Sequence, residues 1–236
     1  MSERVDLDPV FVLHTRPWRE TSLIVDGLSR HHGRLALVAR GARRQASALK
    51  TRLIPFQPLT LSWFGKGAMK TLHSAEWQGG SLMLRGHALM CGFYLNELLL
   101  RLLPEGDAHE ALFDAYAGTL EALSAAADME PVLRRFELTL LSELGYAHPL
   151  GHTADGAPLE PARRYGYAFG EGVTAPRRDA PDYAGQTLLD LAAGELAASA
   201  TLAEGKLLMR TLLAHCLGDK PLATRKLLIE LQQVKT

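Results

Sequence analysis

The sequence is poor in the features that mark secreted and membrane proteins. It has two cysteines in 236 residues, so a fold held together by a disulfide framework is excluded. Its longest stretch without a charged residue runs from Leu53 to Gly65 and contains two prolines, whereas a membrane-spanning helix needs about 18 consecutive apolar residues. Three of the first six residues are charged, which is unlike a signal peptide. We therefore expect a cytoplasmic protein that does not enter a membrane.

The net charge of zero conceals a marked asymmetry along the chain. Residues 1–78 hold twelve Lys and Arg against six Asp and Glu, whereas residues 79–150 hold four against ten. Within the first of these segments, residues 30–52 contain seven Lys and Arg and no acidic residue. We call residues 30–52 the basic block. A block this one-sided predicts a site for a polyanion, although a solvated basic face without a ligand would have the same composition.

Residues 9–78 have the pattern of short strands separated by turns. Five segments are rich in apolar and β-branched residues, and a short helix is predicted over 43–53, between the third and fourth strands. This is the element order of an OB-type barrel, a fold that can hold single-stranded nucleic acid in a basic groove and stack bases on aromatic rings. The candidate rings are Trp18, Phe56, Trp63 and Phe64, although rings of this kind more often belong to a barrel core.

From residue 80 onward the sequence changes to Leu- and Ala-rich segments with helical spacing. A central buried helix is predicted over Leu82–Leu103 and a final helix over Thr224–Val234. Residues 146–184 are rich in Gly and Pro and show no clear period, so a long loop or a small irregular subdomain is expected there. The sequence thus predicts an α+β protein of two domains: a five-stranded OB-type barrel in residues 1–79 and an α-helical domain in residues 80–236.

Motifs for catalysis are weak throughout the chain. The glycines around Lys66 lack the flanking residues of a phosphate-binding loop. His148 and His152 are four residues apart, but the proline between them opposes a helical pair of metal ligands. Neither Cys91 nor Cys216 has the neighbours of a nucleophile. We expect a non-enzymatic protein without a metal or a cofactor, and the alternative is a nuclease or another enzyme that acts on nucleic acid.

One predicted helix, beginning at Pro131, carries an unusual combination of side chains. Arg134 lies four residues before Leu138 and Arg135 lies three residues before it, and this spacing predicts one shared helix face. An apolar side chain beside two guanidinium groups suits an acidic peptide that ends in a hydrophobic carboxylate, because arginine binds carboxylates with two parallel hydrogen bonds. A solvated pair of arginines is the alternative interpretation.

Five parts of the chain, in order, resemble the RecO family of bacterial DNA repair and recombination mediators. The matching segments are FVLHTRPWRETSL (11–23), GRLALVARGAR (33–43), YLNEL (94–98), EPVLRRFELTLL with LGY (130–141 and 144–146), and KPLATR (220–225). The resemblance extends over nearly the whole chain. It implies an N-terminal OB barrel and a helical C-terminal domain, in agreement with the strand and helix patterns.

The resemblance also implies a function. Members of this family are non-catalytic proteins that bind single- and double-stranded DNA and anneal complementary strands. They act on DNA covered by single-stranded-DNA-binding protein (SSB), contact its acidic, Phe-ended tail, and with RecR help to load RecA. A link to RecF and an association with the nucleoid are expected on the same basis. An OB-type RNA-binding module of the translation apparatus is the alternative from another class.

The resemblance gives these roles to particular residues. Arg134, Arg135 and Leu138 fall in the stretch that matches the helix binding the SSB tail. Arg40, Arg43, Arg44, Lys50 and Arg52 fall where the family carries its barrel-side basic residues, and Arg34, Lys66 and Lys70 complete the predicted DNA-binding face. Some members hold zinc through four cysteines in the loop region, but residues 146–184 contain no cysteine, so zinc is not expected.

Overall fold

The computed structural model of the protein describes residues 4–79, 82–218, 220–224 and 226–227. Its internal contacts divide the chain into two compact units. One unit combines the chain up to Ala125 with the C-terminal segment from Leu222, and the other runs from Ala126 to Pro221. Most of the helix predicted over Thr224–Val234 lies outside the described residues.

Five strands of the first unit close into a barrel. They are β1 (Arg4–Trp18), β2 (Ser22–Ser29), β3 (Gly33–Ala39), β4 (Pro58–Phe64) and β5 (Met69–Trp77). Around the barrel they are paired in the order β1, β2, β3, β5, β4, and β4 returns to β1. The β3–β5 pair is parallel and the others are antiparallel. A short helix, α1 (Leu49–Arg52), follows β3. The predicted five-stranded, OB-type element order is thereby confirmed.

Strand β1 is buried on both of its faces. Val10 and Val12 belong to the barrel core, where each is fully buried. The alternate residues Phe11 and Leu13, which point to the opposite face of the strand, are also buried, with 4% and 2% of their surface exposed. The continuous apolar run of β1 therefore serves two layers, one inside the barrel and one outside it.

The outer layer consists of two helices, α2 (Gly86–Leu102) and α3 (Glu110–Ala125), which belong to the same compact unit as the barrel. The ring of Phe11 lies 5.2 Å from those of Phe113 and Tyr116 in α3. Aromatic side chains at this distance bury large apolar areas and interact favourably through their edges. The internal contacts thus group α2 and α3 with the barrel and divide the chain after α3, whereas the sequence predicts a domain boundary at residues 79–80.

A buried hydrogen-bonded chain links β1 to both helices. The side-chain amide of Asn96 donates to the carbonyl oxygen of Leu13 at 2.8 Å, and the hydroxyl of Tyr116 donates to the amide oxygen of Asn96 at 2.6 Å. Asn96 is 2% exposed and Tyr116 is fully buried, and burial raises the pKa of the tyrosine hydroxyl. A polar residue in this layer is tolerated because each of these groups has a partner.

The turn between β2 and β3 requires glycine. Gly33 has a φ of 64°, and a Cβ atom there would lie 1.9 Å from the carbonyl oxygen of Asp107. The next residue, Arg34, accepts a backbone hydrogen bond of 2.9 Å from Gly106. The start of β3 therefore packs directly against the backbone of the α2–α3 connection, without room for a side chain.

The C-terminal segment returns to the first unit and is held by α2. The carboxylate of Glu97 accepts backbone hydrogen bonds from Ala223 at 2.8 Å and from Thr224 at 2.9 Å, and it also accepts the Thr224 hydroxyl at 2.6 Å. Leu222, the residue before Ala223, is buried, with 7% of its surface exposed. Glu97 thus satisfies the free N–H groups at the start of a helical turn, the role of an N-terminal cap.

The second unit contains three helices and a small sheet among its described residues. The helices are α4 (Glu130–Glu143), α5 (Gly185–Ala193) and α6 (Ser199–Leu217), and the strands are β6 (Arg164–Ala168), β7 (Gly172–Thr174) and β8 (Asp182–Ala184). The sheet has the order β7, β6, β8 and occupies part of residues 146–184, for which the sequence predicts a long loop or a small irregular subdomain without naming any strand. Strands of three to five residues are too short to show a period in the sequence. No described helix has the length and apolar character needed to cross a membrane.

Charged side chains connect this small sheet to α6. Arg164 donates to the carboxylate of Asp182 at 3.0 Å and to that of Glu204 at 3.1 Å. The other oxygen of Glu204 accepts the backbone N–H of Ala184 at 2.8 Å. The hydrogen bond from Arg164 holds the pKa of Asp182 below its ordinary value. Polar links as well as apolar packing therefore hold residues 164–184 in place.

We expect the buried chain through Asn96 to contribute measurably to stability. The variant Asn96→Leu keeps a similar volume but leaves the Leu13 carbonyl and the Tyr116 hydroxyl without their present partner. The free energy of unfolding should fall by about 1–3 kcal/mol, the cost of an unsatisfied buried polar group. Urea denaturation measures this change. The control Tyr116→Phe, which removes one bond of the two, should cost less; an Asn96→Leu protein as stable as the unchanged chain would contradict the assignment.

Candidate nucleic-acid interface

The first part of the basic block is paired with acidic residues of the same unit. Arg30 binds the carboxylate of Asp114 in α3, with 2.9 Å between Nη2 and Oδ2. Arg34 donates from Nε to the carbonyl oxygen of Leu103 at 2.8 Å and forms an ion pair with Glu105 at 3.2 Å. Arg34 is thus tied to the end of α2. Arg34 thus has partners within the fold, and its predicted role in DNA binding stays a prediction.

Two arginines from the middle of the basic block face a groove on the barrel. A cavity of about 820 Å³ lies beside the β1–β2 turn. Its lining includes Trp18, Arg19, Arg40, Arg44, Met69 and Thr71. We call the surface formed by these six residues the barrel groove. Arg40 and Arg44 are exposed, and the groove includes residues of the β1–β2 turn and β3, which belong to the region that OB barrels use for oligonucleotides.

Arg43 braces the turn at the edge of the barrel groove. Its Nη1 donates to the carbonyl oxygens of Arg19 at 3.3 Å and of Glu20 at 3.2 Å, and its backbone N–H donates to Thr21 at 2.9 Å. Arg19 has a φ of 53°, a left-handed conformation that costs a residue with a side chain roughly 1–2 kcal/mol. The bonds from Arg43 help to hold this conformation, so Arg43 positions the turn that follows Trp18.

The remaining predicted DNA-binding cations lie elsewhere on the barrel. Lys50 and Arg52 are on α1, Lys66 is in the β4–β5 turn, and Lys70 is in β5. Arg52 donates to the carbonyl oxygen of Ala75 at 2.9 Å, Lys50 and Lys66 are exposed, and Lys70 is half-buried. None of these four is among the described residues that line the barrel groove; of the eight predicted cations, Arg40 and Arg44 line it.

The predicted aromatic residues also separate into two kinds. Trp63 and Phe56 are buried, with 1% and 5% of their surface exposed, and belong to the packing of the unit. Trp18 and Phe64 are 37% and 39% exposed, and both are available to a ligand. Trp77, at the end of β5, is 56% exposed and lines a second pocket of about 550 Å³. Sequence reasoning missed Trp77, because alternation along a strand does not show where burial ends.

In the second unit, neighbouring arginines of α4 have different environments. The side chain of Arg134 is 9% exposed and binds the fully buried carboxylate of Glu137 at 2.7 Å. Arg135 is exposed, with its Nη2 3.3 Å from the carbonyl oxygen of Gly194, and Leu138 is half-buried. The prediction that Arg134 shares an accessible face with Leu138 is therefore wrong. Consecutive residues point about 100° apart on a helix, and Arg134 lies on the inner side.

The environment of the two thiols disfavours their deprotonated form. Burial raises the pKa of Cys91 and of Cys216 to about 11 each, so both remain protonated near neutral pH, and the thiolate is the reactive form. Within the described part of the chain, no group of three or more His, Cys, Asp and Glu side chains is arranged to hold a metal ion.

Comparison with known proteins accounts for almost the entire chain. The family model described as "Recombination protein O N terminal" matches residues 3–80, and "Recombination protein O C terminal" matches residues 83–226. The two models meet close to the boundary predicted from the sequence, although the compact unit of the barrel extends further.

Individual relatives give the same result. A protein named DNA repair protein RecO from Aromatoleum aromaticum is 51% identical over 236 residues, which is 98% of this chain and 98% of that protein. A protein of the same name from Thiobacillus denitrificans is 52% identical to this chain over 241 residues, which is 98% of this chain and 94% of that protein. Another from Nitrosospira multiformis is 50% identical over 237 residues, with 98% of both chains covered.

The different environments of Arg34 and Arg40 can be tested without a ligand. Arg34→Gln removes an ion pair and a charged hydrogen bond to a main-chain carbonyl, so the free energy of unfolding should fall by about 1–2 kcal/mol. Arg40→Gln changes an exposed side chain and should alter stability by less than about 0.5 kcal/mol. Urea denaturation compares the two proteins. Equal effects would show that Arg34 is as free as Arg40.

Proposed function

The chain belongs to the RecO family of DNA repair and recombination proteins, and we propose that it is a non-catalytic mediator that binds DNA and anneals complementary strands. The observation that carries the proposal is the barrel groove. It brings the exposed guanidinium groups of Arg40 and Arg44 together with the ring of Trp18. The ligand is single- or double-stranded DNA, bound through its phosphates.

The chemistry of the groove suits binding without sequence preference. Guanidinium groups neutralise phosphates and release counterions, which provides affinity that does not depend on the bases. Annealing needs two polyanions to approach each other while the base edges stay open for pairing. Phosphate contacts from Arg40 and Arg44 meet both requirements, because they reduce repulsion between strands and leave the base edges exposed. Among the described residues of the lining, Glu20 is the one carboxylate.

A second part of the proposal concerns SSB. We infer that Arg135 and Leu138 on α4 receive the acidic, Phe-ended tail of SSB, with the guanidinium on a carboxylate and the leucine against the terminal ring. The exposure of Arg135 and the half-buried state of Leu138 support this assignment. Arg134, which binds Glu137, would act indirectly by fixing the helix. Holding the tail tethers the mediator beside a coated strand and raises its local concentration there.

Family membership supports a further role, in which the chain works with RecR to load RecA onto DNA at the nucleoid. Strand annealing and RecA loading both begin from SSB-coated DNA. One protein that holds the SSB tail on one unit and DNA on the other can therefore serve both processes.

The barrel groove can be tested by reversing its charge. The double variant Arg40→Glu with Arg44→Glu should bind both single strands and duplexes at least about tenfold more weakly. For duplex DNA, the slope of log affinity against log salt concentration should become shallower by about 2, since each lost phosphate contact removes about 0.9. Fluorescence anisotropy with labelled oligonucleotides at several salt concentrations measures both effects.

The matched control for this experiment is Arg177→Glu with Arg178→Glu, which makes the same change in net charge in the second unit. We expect this control to keep most of the affinity and the slope. If the control and the groove variant lose affinity equally, binding follows overall charge and the groove assignment is wrong. Tighter binding of RNA than of DNA with the same sequence would favour the RNA-binding alternative.

The SSB contact can be tested in an annealing reaction. The unchanged protein should accelerate annealing of complementary strands that are precoated with SSB. Arg135→Ala should lose this acceleration on coated strands and keep it on bare strands, because the variant lacks the tail contact but retains the barrel groove. Arg210→Ala, which changes another exposed arginine of the second unit, is the control. Equal loss on coated and bare strands would assign Arg135 a structural role.

A further inference from the structure

We propose that Trp18 is a base-stacking platform, which makes the barrel groove respond to single strands differently from duplexes. This inference rests on the proposed DNA binding and concerns the same groove. In it, Arg40 and Arg44 hold phosphates of any DNA, whereas the indole ring binds a base that is not already stacked within a duplex. The ligand class is thus an unpaired nucleotide within a single strand.

Trp18 is the exposed aromatic residue that lines the barrel groove, whereas Phe64 and Trp77, which are also exposed, are not part of that lining. Trp63, also on a barrel strand, is 1% exposed, whereas Trp18 is 37% exposed at the end of β1. Burying an indole ring is strongly favourable, so an exposed ring at the edge of a cavity keeps apolar surface available for a ligand. Met69, 45% exposed on the same lining, extends this apolar surface.

The neighbouring residue orients the ring. The guanidinium carbon of Arg19 lies 6.0 Å from the centre of the Trp18 ring, at the distance where a cation is attracted to an aromatic face. Arg19 keeps its left-handed conformation with the help of the bonds that Arg43 makes to the carbonyl oxygens of Arg19 and Glu20. A ring with one face occupied by a guanidinium presents its other face to a base, in a stack of arginine, indole and base.

The groove also has the composition for a mixed contact. Its volume of about 820 Å³ is in the range of sites for small ligands, and its lining combines cationic side chains with apolar ones. Proteins that bind single strands without sequence preference use this combination, because every base has an aromatic face. Bases inside a duplex are stacked on each other and cannot reach the indole ring without unstacking. Stacking on Trp18 therefore ends when two strands pair, and this weakens the hold of the protein on the annealed product.

The test separates bases from phosphates. The probes are an oligothymidylate, an abasic strand of the same length and charge, and a duplex. The unchanged protein should bind the oligothymidylate about tenfold more tightly than the abasic strand. In Trp18→Ala this preference should disappear, while affinities for the abasic strand and the duplex stay unchanged. Trp18→Phe should restore part of the preference, and Trp77→Ala, which removes an exposed tryptophan outside the groove, should retain all of it.

Tryptophan fluorescence can report on the Trp18 ring directly. In Trp77→Phe protein, the remaining exposed tryptophan among the described residues is Trp18. Oligothymidylate should quench its fluorescence at saturation, and the abasic strand should not. Stacking is refuted if Trp18→Ala keeps the preference for bases, or if it loses affinity for all three probes equally. Either result leaves the proposed function standing, whereas failure of the unchanged protein to bind any probe would refute that function.

Discussion

The burial of β1 on both faces is the constraint on which the first unit depends. Val10 and Val12 occupy the barrel interior, and Phe11 and Leu13 face the helical layer. The same strand pairs with β2 and β4. It therefore closes the barrel and also packs against the helical layer. A strand used in this way cannot offer its middle to a ligand. What remains available is its end, where Trp18 emerges beside the loop that follows β3, and the candidate DNA site is found there.

Some of the charged residues in the basic block are paired within the fold, and only the others are available to a partner. The basic block and the acidic segment that follows it look like separate surfaces in the sequence. In the structure, Arg30 and Arg34 are neutralised by Asp114 and Glu105, whereas Arg40 keeps an exposed guanidinium. Pairs formed between residues some 70 to 85 positions apart cannot be inferred from composition. The sequence therefore predicts a basic site, but it does not show which of the cations are already paired within the fold.

The sequence predicts those elements in which the spacing of apolar residues repeats over enough residues to be recognised. The barrel strands and the long helices were predicted because five or more residues repeat a period, and the three short strands after residue 163 were missed because they do not. The helix-face argument expected an accessible Arg134, which is buried, since spacing gives the relative angles of side chains and not which side of the helix faces the core. Burial likewise separates Trp18 from Trp63, although both lie on barrel strands.

The return of the chain to α2 has a mechanical consequence. Because Leu222, Ala223 and Thr224 belong to the barrel's unit, residues 126–221 form an insertion attached by two peptide connections instead of one. A pull on the chain beyond Thr224 would load the carboxylate of Glu97 and α2 first, and the inserted unit would bear little tension until that contact broke. The hydrogen bonds of Glu97 would thus carry a force applied to the chain end before it reached the unit proposed to hold the SSB tail.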